Sequence, residues 1–252
     1  MSRPLILVTN DDGVNSKGIT TLIDIAQQFG DVFVVAPDSP QSGKSHAITL
    51  EKPIGCVLIS ASESLTKYSC SGTPVDCVKL ALNQLMDKKP DLILSGINHG
   101  SNSSINVIYS GTMAAAIEGY MDQISSIGFS LLDHADDADF SACVTHLPKI
   151  IDRVLNNSQI MCLNINIPKQ ESDQIKGYKL CRQSDSNWQE EFIAVENQKD
   201  EQSYWMRGTF INKDYGKDTD EWALQNGYIS IVPVQYNFTC FETLNKFKNI
   251  VL

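Results

Sequence analysis

Two adjacent aspartates, Asp11 and Asp12, follow the apolar run Leu5-Ile6-Leu7-Val8 within the segment Thr9-Asn10-Asp11-Asp12-Gly13. Successive side chains of an extended strand point to opposite faces, so both acids reach one point only where the strand has ended and the chain turns. Gly13 supplies that turn, because it lacks the Cβ that restricts other residues. Two carboxylates held side by side repel each other, and the arrangement persists best with a hard cation such as Mg2+ or Mn2+ beside them. The chemistry this suggests is metal-assisted attack on an anionic substrate.

Two further segments supply what the acids lack. Ala36-Pro37-Asp38-Ser39-Pro40-Gln41-Ser42-Gly43-Lys44-Ser45 follows a second apolar run. It offers hydroxyl oxygens and close backbone approach, with Ser42 the best candidate ligand, and it lacks the spacing of a Walker A loop. Ser95-Gly96-Ile97-Asn98-His99-Gly100-Ser101-Asn102 follows a third apolar run and leads to Tyr109-Ser110-Gly111-Thr112, which opens an Ala-rich helix. Free N–H groups and the dipole at a helix start make an anion site. There Asn98 can give a neutral oxygen to a cation, while Asn102, Ser110 and Thr112 hold phosphate oxygens. Each segment alone also reads as an ordinary polar turn. Three of them, each at the carboxyl end of an expected strand, point to a metal beside an anion pocket, where open α/β sheets bind ligands. Of the four histidines, His99 alone falls in this region; His46, His134 and His146 form no metal-ligand spacing.

The elements that must position these segments alternate. Strands are expected at Leu5–Thr9, Val32–Ala36, Asp91–Ser95, Ser125–Leu131 and Met161–Ile167, and helices at Lys17–Phe29, Pro74–Met86, Thr112–Met121 and Phe140–Leu155. This is the pattern of repeated βαβ units, a Rossmann-like α/β fold with a mostly parallel sheet. Thr73 as cap, Pro74 at the first helical position and Asp76 in the first turn mark the second helix clearly. Residues 170–222 change character, with Trp188, Tyr204, Trp205 and Trp222 among charges, which suits a hairpin-like extension or subunit contact. Gly227–Pro233 reads as a last strand, ended by its proline. The expected organisation is one domain over 1–252, with a core at 1–169 and a C-terminal extension at 170–252.

At 252 residues the chain can build a core without staples. No stretch reaches the apolar length of a membrane span, and the N-terminus runs straight into the first strand with no secretory h-region. Seven cysteines without a Cys-x-x-Cys pair, mostly in apolar segments, fit buried thiols in a reducing compartment. A cytoplasmic location with no membrane partner is therefore expected. The net charge of -10 argues against binding a nucleic-acid duplex, so an anionic substrate must be held by a local feature.

The chain resembles the SurE survival-protein family of 5′/3′-nucleotidases. The resemblance rests on Asn10-Asp11-Asp12-Gly13, Ala36-Pro37-Asp38 with Ser42-Gly43, Ser71-Gly72-Thr73-Pro74 with Asp76-Cys77, Ser95-Gly96-Ile97-Asn98 with Gly100 and Asn102, Tyr109-Ser110-Gly111-Thr112, and Thr219-Asp220 with the strand Gly227–Pro233. It implies a three-layer α/β/α core with a C-terminal hairpin that helps build a homodimer or homotetramer. It also implies one divalent ion per subunit, Mg2+ or Mn2+, on Asp11, Asp12, Ser42 and Asn98. Asp11, Asp12 and Asn98 would be catalytic, and Asn10, Gly43, Asn102 and the Ser110-Gly111-Thr112 turn would serve the phosphate of a nucleoside 5′- or 3′-monophosphate, with a role in stress survival. Two departures are visible: Gln41 where members often carry a basic residue, and Ser103-Ser104 where a glycine is common. In the expected mechanism the cation activates the phosphate and orients an in-line water, with no covalent intermediate. Asp11 is also a candidate acceptor for that water's proton. A haloacid-dehalogenase phosphatase would space its aspartates two residues apart, unlike the adjacent pair here. A nucleotide-binding module without turnover is the competing expectation.

Overall fold

The computed structural model describes residues 3–135, 137–195 and 202–247. Along the chain run β1 (Leu5–Thr9), α1 (Lys17–Ala26), β2 (Asp31–Pro37), β3 (Cys56–Ala61), β4 (Leu65–Cys70), α2 (Pro74–Leu80), β5 (Leu92–His99), α3 (Asn106–Tyr109), α4 (Gly111–Met121), β6 (Ser126–Leu131) and α5 (Ser141–Leu155). They are followed by β7 (Cys162–Ile167), β8 (Tyr178–Leu180), β9 (Ser186–Val195), β10 (Ser203–Asn212), α6 (Asp220–Gln225), β11 (Ile229–Pro233) and α7 (Phe241–Phe247).

Among the described residues one sheet carries the order β3-β4-β2-β1-β5-β6-β7-β11-β8, in which β4 through β7 are all parallel. Right-handed βαβ crossovers cover both faces of such a sheet, and strand alternation sorts the core accordingly. Ile6 and Val8 of β1 join α1 and α5 in one apolar cluster, while Leu7 between them joins α2 and the Ala115 face of α4 in another. The expected three-layer, mostly parallel α/β architecture is present. β9 and β10 form the expected hairpin as a separate antiparallel pair. β8 and β11 return to the main sheet, so that sheet draws on strands from both sides of residue 170.

Several boundaries differ from the sequence reading for identifiable reasons. α1 stops at Ala26 rather than Phe29 because the last turn tightens, with Gln28 and Phe29 donating to carbonyls three residues back. The second helix keeps its capping box between Thr73 and Asp76 but widens into a single π turn at Ala81–Leu85. β3 and β4, an antiparallel hairpin on the β2 edge, were not expected; β3 is exposed along almost its whole length and shows no buried face to betray it. The largest change is in β5. It does not end at Ser95: the pairing with β6 breaks there and resumes with Asn98 opposite Ser130 and His99 opposite Leu131. Gly96 permits the break, at φ +127° with a Cβ position only 2.4 Å from the Phe129 carbonyl oxygen. The Gly96–Ile97 peptide is cis.

Candidate active site

β1 ends at Thr9, and the turn that follows is built by Asn10 and Gly13. The Asn10 amide donates to the Gly13 carbonyl at 3.0 Å and to Ser16 Oγ at 2.9 Å. Asn10 is fully buried, and both of its described donor contacts lie within the turn. Gly13, at φ +97°, then sends the chain under Pro37, whose carbonyl accepts the Val14 amide at 2.7 Å. In this turn Asp11 is 5% exposed and Asp12 is partly exposed.

Asp11 lies against the first turn of α4. The Thr112 hydroxyl donates to Asp11 Oδ1, and a Cβ on Gly111 would fall 2.9 Å from Asp11 Cβ and 3.1 Å from its Oδ2. Ser110 caps the helix by accepting the Met113 amide at 3.0 Å. Asp12 is held from the other side, accepting the His99 backbone amide at 3.2 Å through Oδ2. The two acids and the helix-start cradle therefore share one corner of the sheet. Burial pushes the Asp11 carboxyl up from 3.8 to about 6, with the Thr112 hydrogen bond opposing and the Asp12 charge adding to the rise. Burial also raises Asp12, against the pull of the His99 amide. A Gly111→Ala substitution should push directly on Asp11 in a helix that otherwise favours alanine. We expect at least a tenfold loss of phosphate release with secondary structure by circular dichroism unchanged.

The other expected residues stand at graded distances from this corner. The Gln41 backbone amide donates to the Asp11 carbonyl at 2.8 Å, which brings the loop after β2 to the acid turn; Ser42 and Gly43 follow it, both exposed. Asn98 donates its amide nitrogen to the Gly100 carbonyl at 2.8 Å and the His99 carbonyl at 3.4 Å. Carbonyls only accept, so this fixes the amide orientation and leaves Oδ1 as its available end. Asn102 is buried one step further away, its amide nitrogen on Ser130 Oγ at 2.8 Å and its backbone amide on Asn166 Oδ1 at 2.8 Å.

These donors fit a hard divalent ion. Among the described residues no three His, Cys, Asp or Glu side chains are placed to hold a metal ion together. A cation here would take two carboxylates together with the neutral oxygens of Ser42 and Asn98, a set suited to Mg2+ or Mn2+ and unsuited to a thiolate-seeking metal. Thr9 Oγ1, Asn10 Oδ1 and Ser95 Oγ are buried without a hydrogen-bond partner among the described residues. They cluster at the ends of β1 and β5 beneath the acid turn.

A cleft of about 410 Å³ opens beside the Ser42 loop, lined by residues including Asp38, Gln41, Lys44, Lys52, Ser71 and Thr73. A smaller one, about 320 Å³, lies at the far end of α2 around Met86 and Lys88 and contains none of the expected site residues.

A buried polar network behind the site escaped the sequence reading. Asn164 Nδ2 donates to the Asn102 carbonyl at 2.8 Å, and Asn166 Nδ2 donates to Asn164 Oδ1 at 2.9 Å. Asp220, fully buried at the start of α6, accepts the amides of Ser104 at 2.8 Å and Ser184 at 2.9 Å. Ser103 donates to Glu221, whose carboxyl is raised by burial. The signal was present in Asn164-Ile165-Asn166, two amides inside a strand buried on both faces, where polar groups persist only if satisfied.

The profile of the survival protein SurE matches residues 6–190. The chain belongs to the SurE family. It is 52% identical to the 5′-nucleotidase SurE of Flavobacterium psychrophilum over 99% of this chain and 98% of that protein. It is 53% identical to the 5′-nucleotidase SurE of Christiangramia forsetii over 94% and 93%, respectively. The crystal structure of the SurE protein from Aquifex aeolicus superposes with a TM-score of 0.83 at 34% identity, covering 98% of this chain and 99% of that one. No helix among the described residues is long and apolar enough to cross a membrane.

Proposed function

We propose that the chain hydrolyses nucleoside monophosphates to nucleoside and phosphate with a bound divalent ion. It is a phosphoric monoester hydrolase of the SurE family, acting on 5′- and 3′-monophosphates in the cytoplasm as part of stress survival. The observation that carries this reading is the contact between Thr112 and Asp11, which joins the paired acids to the helix-start cradle.

Asp11, Asp12, Ser42 and Asn98 would hold one Mg2+ or Mn2+ per subunit, which when bound supplies charge to the phosphate and acidity to a water. The first-turn N–H groups at Gly111 and Thr112, with the free proton of the Ser110 hydroxyl, donate to phosphate oxygens. Thr112 and the His99 amide orient the two acids, and Asn10 holds the turn that presents them. Gly43, at φ +70°, gives the Ser42 loop its left-handed turn, and Asn102 braces the segment before α3 from behind. Asp11 would also accept the proton of the attacking water. The cleft beside Lys44 and Lys52 gives the nucleoside room.

Residues 1–169 would supply the catalytic part of a single domain, and 170–252 an extension whose β8 and β11 complete the main sheet. Trp205, Met206, Phe192 and Ile193 are exposed on the two-stranded hairpin. Such a patch favours burial in a subunit interface, supporting a homodimer or homotetramer. Phosphate release from a panel of 5′- and 3′-monophosphates, with Mn2+ and with EDTA, tests the reading. Release in Mn2+ that EDTA abolishes is expected; no release under either condition identifies a binding module.

A further inference from the structure

We propose that His46 is a positioning residue that holds the Ser42 loop in place for the metal, acting through the buried carboxylate of Glu118. The proposal rests on the metal site described above and concerns how one of its ligands is placed.

Glu118 lies on α4 and is 3% exposed, an unusual place for a carboxylate unless it is paired. Its Oε2 meets His46 Nε2 at 2.8 Å, and its Oε1 pairs with Lys79 of α2. Burial pushes the Glu118 carboxyl up, but the bonds to His46 and Lys79 outweigh it and leave the group below its ordinary value.

The position of this pair on α4 gives it a function. The same helix touches Asp11 through Thr112 and holds His46 through Glu118. Those residues are six apart, about 9 Å along a rigid helix axis. α4 thus fixes the separation between the first metal carboxylate and the segment that carries Ser42, four residues before His46. The segment has other ties that involve no charge: the Gln41 backbone amide donates to the Asp11 carbonyl at 2.8 Å and the Ser45 hydroxyl to the Ile108 carbonyl at 2.6 Å. The Ser45 amide donates to the Tyr109 carbonyl at 3.2 Å, and the Thr73 hydroxyl donates to the Ala47 carbonyl at 2.7 Å. Ser45 is held at φ 54°, a conformation a serine adopts only when its surroundings impose it. Ser42 and Gly43 have no such tie of their own among the described residues, and His46, four residues on, is the nearest side chain along this segment that reaches a buried carboxylate.

Loss of the imidazole leaves Glu118 paired with Lys79, so the substitution does not strand a buried charge and the fold should survive it. The test is calorimetric titration of the full-length protein with Mn2+ for wild type, His46→Ala and His46→Gln, with melting temperature measured in EDTA. We expect His46→Ala to weaken Mn2+ binding roughly tenfold or more, the scale of outer-shell losses at metal sites. His46→Gln, which keeps an N–H for Glu118, should recover most of it. Both variants should melt within a few degrees of wild type, and saturating Mn2+ should overcome the activity loss of the alanine variant. Wild-type affinity in His46→Ala overturns the proposal, as does an equal loss in both variants. If wild type itself binds no Mn2+, the metal-site reading falls and takes this inference with it.

Discussion

Asp12→Asn is expected to lower phosphate release from a nucleoside monophosphate by about 10³-fold, roughly 4 kcal/mol of transition-state stabilisation. The substitution keeps size and shape, and the partly exposed position lets an amide be hydrated, so folding should be nearly unaffected. What changes is charge. One of the two carboxylates assigned to the cation is neutralised, and the remaining donors Ser42 and Asn98 are neutral oxygens that cannot replace it. Affinity for Mn2+ and turnover should fall together, and raising Mn2+ should recover only part of the rate. Initial rates across a Mn2+ series measure this; activity within tenfold of wild type at low Mn2+ would contradict the assigned role.

Asp11→Asn should stabilise the metal-free protein while abolishing its activity. In the unfolded chain the Asp11 carboxyl ionises near 3.8, and in the folded protein burial delays this to about 6. Below about pH 4 the group is protonated in both states and has no effect on stability. As pH rises toward 6 the unfolded state loses its proton first, so stability falls, and above that pH a cost of about 3 kcal/mol remains. Asparagine removes that cost and can still accept the Thr112 hydroxyl. Melting in EDTA at pH 8 should therefore rise by roughly 5–10 °C in the variant, with the difference vanishing near pH 4. An unchanged or lower melting temperature at pH 8 would show that Asp11 is not held as a desolvated carboxylate. Excess Mn2+ should reverse the order, because the ion stabilises the wild type by mass action and the variant hardly at all.

Features set by local sequence were legible before the structure. β1 was bounded by its apolar run and Gly13, and the start of α2 by Thr73, Pro74 and Asp76. The acid turn stood out only in company, since it alone reads as an ordinary turn and three such segments fall at the carboxyl ends of expected strands. Features set by register or distant pairing were not. Asn98 was expected on a loop, yet it sits on a strand, because the break at Gly96 depends on how β5 meets β6. The pairing of Glu118 has no local sign, because its partner His46 is 72 residues away. Asp220 was visible in the family resemblance, but its grip on Ser104 and Ser184 required the fold to bring α6 beside that loop. The edge hairpin of β3 and β4 was missed because exposed strands lack the alternation that marks a buried face.

Anomalous diffraction at the manganese edge, from crystals grown with Mn2+, locates the ion without reference to activity. One strong peak per subunit is expected, within about 2.5 Å of oxygens from both Asp11 and Asp12, with Ser42 and Asn98 completing the shell. A peak elsewhere, or none in crystals of an enzyme that still hydrolyses nucleotides, would contradict this assignment.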